Sequence, residues 1–203
     1  MVPSDQVSRP PSRGRPRSAD ADRAIVTAAL DLLEQHGYAR LTLESVARRA
    51  GVGRPTIYRR WSTKDDLVVH VLTETVPPLE APVTGDAVND LRTMAIEFVT
   101  GLVNSPAGRS VLAVHAEAGR RPDLAARLRE GYLLPRDRVV RDIVAYGHRH
   151  GQLTTGLGAE TIRDLVFGPL IYHWLVSGDP LDPDTAATLV EAVLPAIRPP
   201  RAH

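Results

Sequence analysis

The amino-acid sequence predicts an all-α protein, on three observations. Apolar residues recur at three- and four-residue intervals along most of the 203-residue chain, the period of a helix with one buried face. Glycine- and proline-containing breaks divide it into helix-length segments. No stretch carries a convincing strand alternation.

Residues 1–18 are rich in Pro, Ser and Arg and are expected to be a disordered basic arm. Within them Arg13-Gly14-Arg15-Pro16-Arg17 resembles the core of an AT-hook, in which an extended chain lays arginines into a narrow minor groove. A solubilising tail is the other reading, and the position directly before the helices described next is what speaks for the hook. Ser18 or Asp20 can cap a first helix running to about His36. Ile25, Ala29, Leu32 and Leu33 give it one apolar stripe, and Gly37 ends it.

The stretch Leu41 to Lys64, LTLESVARRAGVGRPTIYRRWSTK, organises the rest. Thr42 fits the N-cap of a second helix with Val46, Ala47 and Ala50 on its inner side, and a third helix carries Ile57 and Trp61 one turn apart. Between them a glycine of Ala50-Gly51-Val52-Gly53 can take a positive φ, so that the third helix leaves at a steep angle. This is the helix-turn-helix pattern, whose second helix enters the DNA major groove. Pro55 suits a first helical turn. Around it stand Arg54, Thr56, Tyr58, Arg59 and Arg60, groups that can reach base edges or phosphates, with no acid among them. A basic run alone would read as a solvated face; coupled to this turn and this apolar spacing it reads as a DNA contact surface.

Ser62-Thr63-Lys64-Asp65-Asp66 opens a fourth helix with hydroxyl caps and first-turn acids. Leu67, Val68, Val71 and Leu72 make its apolar face, Pro77-Pro78 stops it, and residues 76–85 read as a linker. Further helices are expected over 86–103, 106–118, 122–150, 159–177 and 183–197, the third of them interrupted by Gly131 and Pro135.

Charge is divided along the chain. Residues 1–62 hold 11 Arg against 6 Asp/Glu, whereas the remainder holds 14 Arg/Lys against 18, a basic end on a mildly acidic body. There is no cysteine, so disulfides and thiolate metal sites are excluded. No apolar run is long enough to span a membrane and the N-terminus has no signal-peptide pattern, so a cytoplasmic protein without membrane contact is expected. The chain carries no nucleophile-elbow, Walker A, dinucleotide or zincin motif. His148 and His150, two apart on a helix, would point away from each other. No enzyme activity, no cofactor and no metal site are expected.

The residues AALDLLEQHGY, LTLESVARRAGVGRPTIYRRW and STKDDLVVHVL resemble the DNA-binding domain of the TetR family of transcriptional regulators, over about a quarter of the chain. The resemblance implies a DNA-binding domain at 19–75 and a helical ligand-binding and dimerisation domain at 76–203. It implies that Thr42 and Lys64 touch phosphate. On side-chain chemistry Thr56 and Tyr58 are expected to join them, Arg54 and Arg59 or Arg60 to read base edges, and Pro55 to pack near a thymine methyl. Gly53 stands where many members have Ser or Thr, so the cap of the recognition helix lacks its side-chain bond. The resemblance also implies a small-molecule pocket in the middle helices, with Met94, Phe98, Leu102, Val111, His115, Tyr132, Tyr146 and Phe167 as candidate lining and His115 as the foremost polar contact. Ordinary core packing is the competing reading of each. The last two helices, with Ile162, Val166, Leu170, Trp174, Leu189 and Val193, are implied to pair with a second copy.

The expected function is a ligand-responsive repressor that binds a palindromic site on double-stranded DNA as a homodimer and is released by a small-molecule effector. An activator of the same fold is the alternative, and a helical enzyme or ligand carrier a more distant one.

Overall fold

A computed structural model describes residues 16–76, 79–80 and 84–200. Arg13 and Arg15, and with them the expected hook, lie outside the described residues, as does the side chain of Arg17. Helix α1 (Pro16–Arg40) starts two residues before Ser18, with a proline where a missing N–H is harmless. At Gly37 it breaks as expected, with φ at 71°. The break turns Tyr38 into the core.

Helix α2 (Leu43–Arg49) begins on a reciprocal cap: the Thr42 hydroxyl accepts from Ser45 N at 3.0 Å, and the Ser45 hydroxyl accepts from Thr42 N at 3.1 Å. The turn that follows runs through Gly51, whose φ is 66°. Helix α3 (Arg54–Tyr58) starts on Gly53 with no side-chain cap. At five residues it is too short to hold itself. Fully buried Ile57 and nearly buried Trp61 anchor it, each contributing about 2 kcal/mol. Helix α4 (Lys64–Thr75) repeats the reciprocal cap, with Thr63 paired to Asp66.

The remaining helices are α5 (Ala87–Val103), α6 (Pro106–Ala118), α7 (Pro122–Leu128), α8 (Leu134–Arg149), α9 (Ala159–Tyr172) and α10 (Pro183–Ile197). Asp86, Ser105 and Asp182 cap three of them. The expected 122–150 helix is thus divided, with a π-helical segment at Arg129–Leu133 between α7 and α8. Pro135 has no N–H to offer the Gly131 carbonyl four residues back. The Thr73 hydroxyl of α4, which donates to the Val69 carbonyl at 2.9 Å, lies 3.3 Å from that Gly131 carbonyl. A second π-helical segment, His173–Ser177, follows α9.

Two apolar clusters hold the fold. One gathers α1 to α4 and continues into Leu102, Val111, Val114, Leu124, Leu128 and Tyr132. The other gathers α5, α8, α9 and α10 around Leu91, Met94, Val140, Ile162, Val166 and Val190. Packing therefore crosses residue 76 and does not part there. Phe98 and Trp174 pack against both clusters, and the space between them is where the pocket lies. Among the described residues no helix is long and apolar enough to cross a membrane.

Candidate DNA interface and effector pocket

Buried Ile57 fixes the rotation of α3, so Arg54, Pro55, Tyr58 and Arg59 stand exposed, with Thr56 half-buried beside them. Thr42 is exposed at the start of α2. The third helix has no acid, but α2 supplies one: the Tyr58 hydroxyl donates to the Glu44 carboxylate. That bond holds Glu44 below the usual carboxylate range and pushes the Tyr58 phenol up.

Two cations sit otherwise than expected. Arg60 turns back to form an ion pair with Asp22 of α1, because at the end of so short a helix its side chain falls on the α1 side and not beside Arg54. It braces the recognition helix. Lys64 lies over the Tyr38 ring, with Nζ 4.2 Å from the centroid and donating to the Tyr38 carbonyl at 3.2 Å. Partial burial and the nearby Arg121 lower its pKa. Among the expected DNA contacts described, Thr42, Arg54, Pro55, Thr56, Tyr58 and Arg59 share one surface, with Lys64 engaged against α1.

The pocket has a volume of about 420 Å³, within the range of small-molecule sites. Phe98, Leu102, Val111, His115, Tyr132 and Phe167 line it as expected, joined by Leu112, Ile171 and Trp174. His115 Nδ1 donates to the Val111 carbonyl at 2.8 Å, and its ring meets Tyr132 edge-on at 5.8 Å. Two expected residues lie elsewhere. Met94 is one turn further back on α5 than Phe98 and is sealed in the second cluster. Tyr146, about 15 Å along α8 from Arg136, stacks on His150 at 4.1 Å and donates to the Gly85 carbonyl at 3.4 Å.

Four charged wall residues were missed in the sequence. Arg136 stacks its guanidinium 3.9 Å from the Tyr132 ring centroid and donates to the Tyr132 and Val76 carbonyls at 3.0 and 3.3 Å. Burial lowers its pKa. Arg163 pairs with Asp137 and Asp164, each at 2.8 Å. A signal was present for Arg136: it interrupts the four-residue spacing of buried Leu128, Tyr132, Val140 and Val144.

Comparison with known proteins decides the family. Residues 25–71 match the description "Bacterial regulatory proteins, tetR family", and residues 81–193 match "Tetracyclin repressor-like, C-terminal domain". The chain belongs to the TetR family of transcriptional regulators. It is 32% identical to YdeS of Bacillus subtilis, an uncharacterized HTH-type transcriptional regulator, over 88% of this chain and 90% of that one. It is 25% identical to the HTH-type transcriptional regulator AqdR of Rhodococcus erythropolis over 80% and 78% of the two chains. The fold is that of NalD of Pseudomonas aeruginosa, a repressor of a multidrug efflux pump (TM-score 0.64, 23% identity, 89% of this chain and 98% of that one).

In this TetR-family chain the surface expected to pair with a second copy needs correction. Ile162, Val166 and Leu170 are wholly buried inside the protomer, and Trp174 lines the pocket. Leu189 and Val193 remain half-exposed. The outward stripe of α9 and of the π-helical segment after it is Pro169, Tyr172 and Val176, the last two 62% and 63% exposed. Because α9 is apolar around most of its circumference, its periodicity could not tell the inner stripe from the outer one.

Proposed function

We propose that this regulator is a repressor that binds a palindromic operator as a homodimer in the cytoplasm and is released by a small, largely apolar effector. The observation that carries this reading is the joining of two parts. A short recognition helix with an exposed Arg54–Tyr58 face is anchored through Ile57 in the same apolar cluster that supplies Leu102, Val111 and Tyr132 to the wall of an aromatic pocket. In this reading Arg54 and Arg59 read base edges, arginine being suited to bidentate contact with guanine. Thr42, Thr56 and Tyr58 contact phosphates, Pro55 packs near a thymine methyl, and Lys64 leaves Tyr38 for a phosphate. The arm arginines Arg13, Arg15 and Arg17 add affinity through the minor groove.

An uncharged effector fits the wall best. Arg163 is engaged by Asp137 and Asp164. Arg136 is engaged by two carbonyls and by aromatic rings. A charged ligand would have to break these arrangements or enter unpaired. In this reading the half-exposed Leu189 and Val193 of α10, with Tyr172 and Val176, form the apolar surface that pairs with a second copy across a two-fold axis.

The test is selection of bound sequences from random duplex DNA, followed by affinity measurement across a salt series. A palindromic consensus bound by a dimer, weakening steeply with salt, is expected. Salt-sensitive binding indifferent to sequence would overturn the reading.

A further inference from the structure

The described residues bury two acids, Asp65 and Asp90. Asp90 closes on its own helix entrance, accepting from Thr84 at 2.5 Å. Asp65 instead reaches across the fold. It sits in the first turn of α4, next to Lys64, and takes both arms of Arg121: Nη2 to Oδ2 at 2.9 Å and Nη1 to Oδ1 at 3.3 Å. Tyr38, just beyond the α1 break, donates its hydroxyl to Asp65 and accepts from Arg121. Lys64 and Arg121 are both held over the ring of that tyrosine, at 4.2 and 5.4 Å. Arg127 of α7 pairs with Asp66, the neighbouring acid that completes the Thr63 cap.

Arg121 belongs to the pocket side. It follows α6, which carries Val111, Leu112 and His115 on the pocket wall, and it is the N-cap residue of α7. From His115 to Ala118, where α6 ends, is three residues, about 4.5 Å of helix rise, and Arg121 follows three residues later. The far end of α4 is gripped as well, since Arg136 of the pocket wall donates to the Val76 carbonyl.

We propose that Arg121 is a positioning residue for DNA binding: with Asp65 and Tyr38 it ties the first turn of α4, and hence Lys64 and the recognition helix, to the end of pocket helix α6. The geometry favours this over a surface ion pair. Asp65 is 6% exposed beneath the fork, so its carboxylate takes its hydrogen bonds from Arg121 and Tyr38 and not from open water. The fork is planar and bidentate, so it fixes an orientation as well as a distance. Coupling between sites is reciprocal. If the pocket helix positions the DNA-binding helices, DNA must in turn quieten the pocket helix, and duplex DNA alone can probe the joint.

The inference rests on α3 being the helix that reads DNA. The experiment uses the full chain and the duplex that it selects. Affinity by fluorescence anisotropy and amide hydrogen exchange over residues 106–128, with and without duplex, are measured for wild type, Arg121→Gln and Arg121→Lys. Wild type is expected to gain exchange protection in this segment on binding DNA. Arg121→Gln is expected to bind about tenfold more weakly and to lose that gain. Arg121→Lys keeps the charge but not the fork and is expected to fall between, which also covers the case of a Gln variant that fails to fold. Wild-type affinity with undiminished DNA-dependent protection in the folded variants would overturn the proposal. Failure of wild type to select any duplex would overturn the function proposed above together with this inference, whereas binding by wild type with unaltered variants overturns the inference alone.

Discussion

Replacing Gly131 by alanine should destabilise the protein, and the same replacement should stabilise it once Val69 is also alanine. A Cβ at residue 131 would lie 2.5 Å from Val69 Cγ1. Carbon atoms rest at about 3.5–4.0 Å, so α4 and the π-helical segment must separate by roughly 1 Å or distort. Valine in a helix has one strongly preferred χ1 rotamer, so it cannot readily swing aside. Overpacking of this kind costs about 1–3 kcal/mol. Against that, alanine is favoured over glycine in helical backbone by about 1 kcal/mol. The net should be a loss of about 1 kcal/mol, or a melting temperature lower by about 2–4 °C. In Val69→Ala the nearest atom becomes Cβ at 3.9 Å, an ordinary contact. There the overpacking disappears and the helix gain of up to about 1 kcal/mol remains. Denaturant melts of the four proteins in the double-mutant cycle give the coupling energy, expected near 2 kcal/mol. If Gly131→Ala stabilises the wild-type background, the close approach of α4 to residue 131 is wrong.

Other substitutions test separate parts of the molecule. Thr63→Ala removes the α4 cap and should lower stability by about 1 kcal/mol in urea denaturation. Glu44→Gln removes the carboxylate that holds the Tyr58 hydroxyl, and anisotropy should show DNA binding tightened by roughly threefold and reduced electrostatic repulsion of phosphates. Tyr38 is held above the ordinary phenol pKa by burial first and by Asp65 second. The unfolded chain therefore ionises it at lower pH, and its stabilising contribution, full below about pH 10, is lost as pH rises through the folded value. Denaturation from pH 8 to 11 should show a fall above pH 10 that is flattened in Tyr38→Phe. Val176→Asp places a charge on the exposed face of the π-helical segment after α9, and analytical ultracentrifugation should show dimers shifted toward monomers at micromolar concentration.

The legible parts of the fold were those written locally. Thr42, Gly51 and Thr63 each act within a few residues of themselves, so the caps and the tight turn could be read directly from the order of residues. The pocket was half legible. Phe98 and Leu102, or Val111 and His115, lie one helical turn apart and share a face, but which turn of α5 meets the other helices depends on packing, and this excluded Met94. Asp65 and Asp66 looked like ordinary first-turn acids, because their partners Arg121 and Arg127 lie 56 and 61 residues away. The Arg60 ion pair was hidden for the same reason, since Asp22 lies 38 residues before it.

The apolar cluster that α1 to α4 share with α6 and α7 limits how this protein can be rewired. Joining its first 76 residues to a foreign sensor would strip Val71, Leu72 and Val76, all buried here, of the Leu124 and Leu128 cluster they belong to. Such a chimaera would fail in folding before it could fail in recognition. Exposed Thr42, Arg54, Pro55, Tyr58 and Arg59, by contrast, lie outside the buried core. On the DNA contacts proposed above, new target sites are therefore better sought by exchanging those few side chains on the intact scaffold than by moving the domain that carries them.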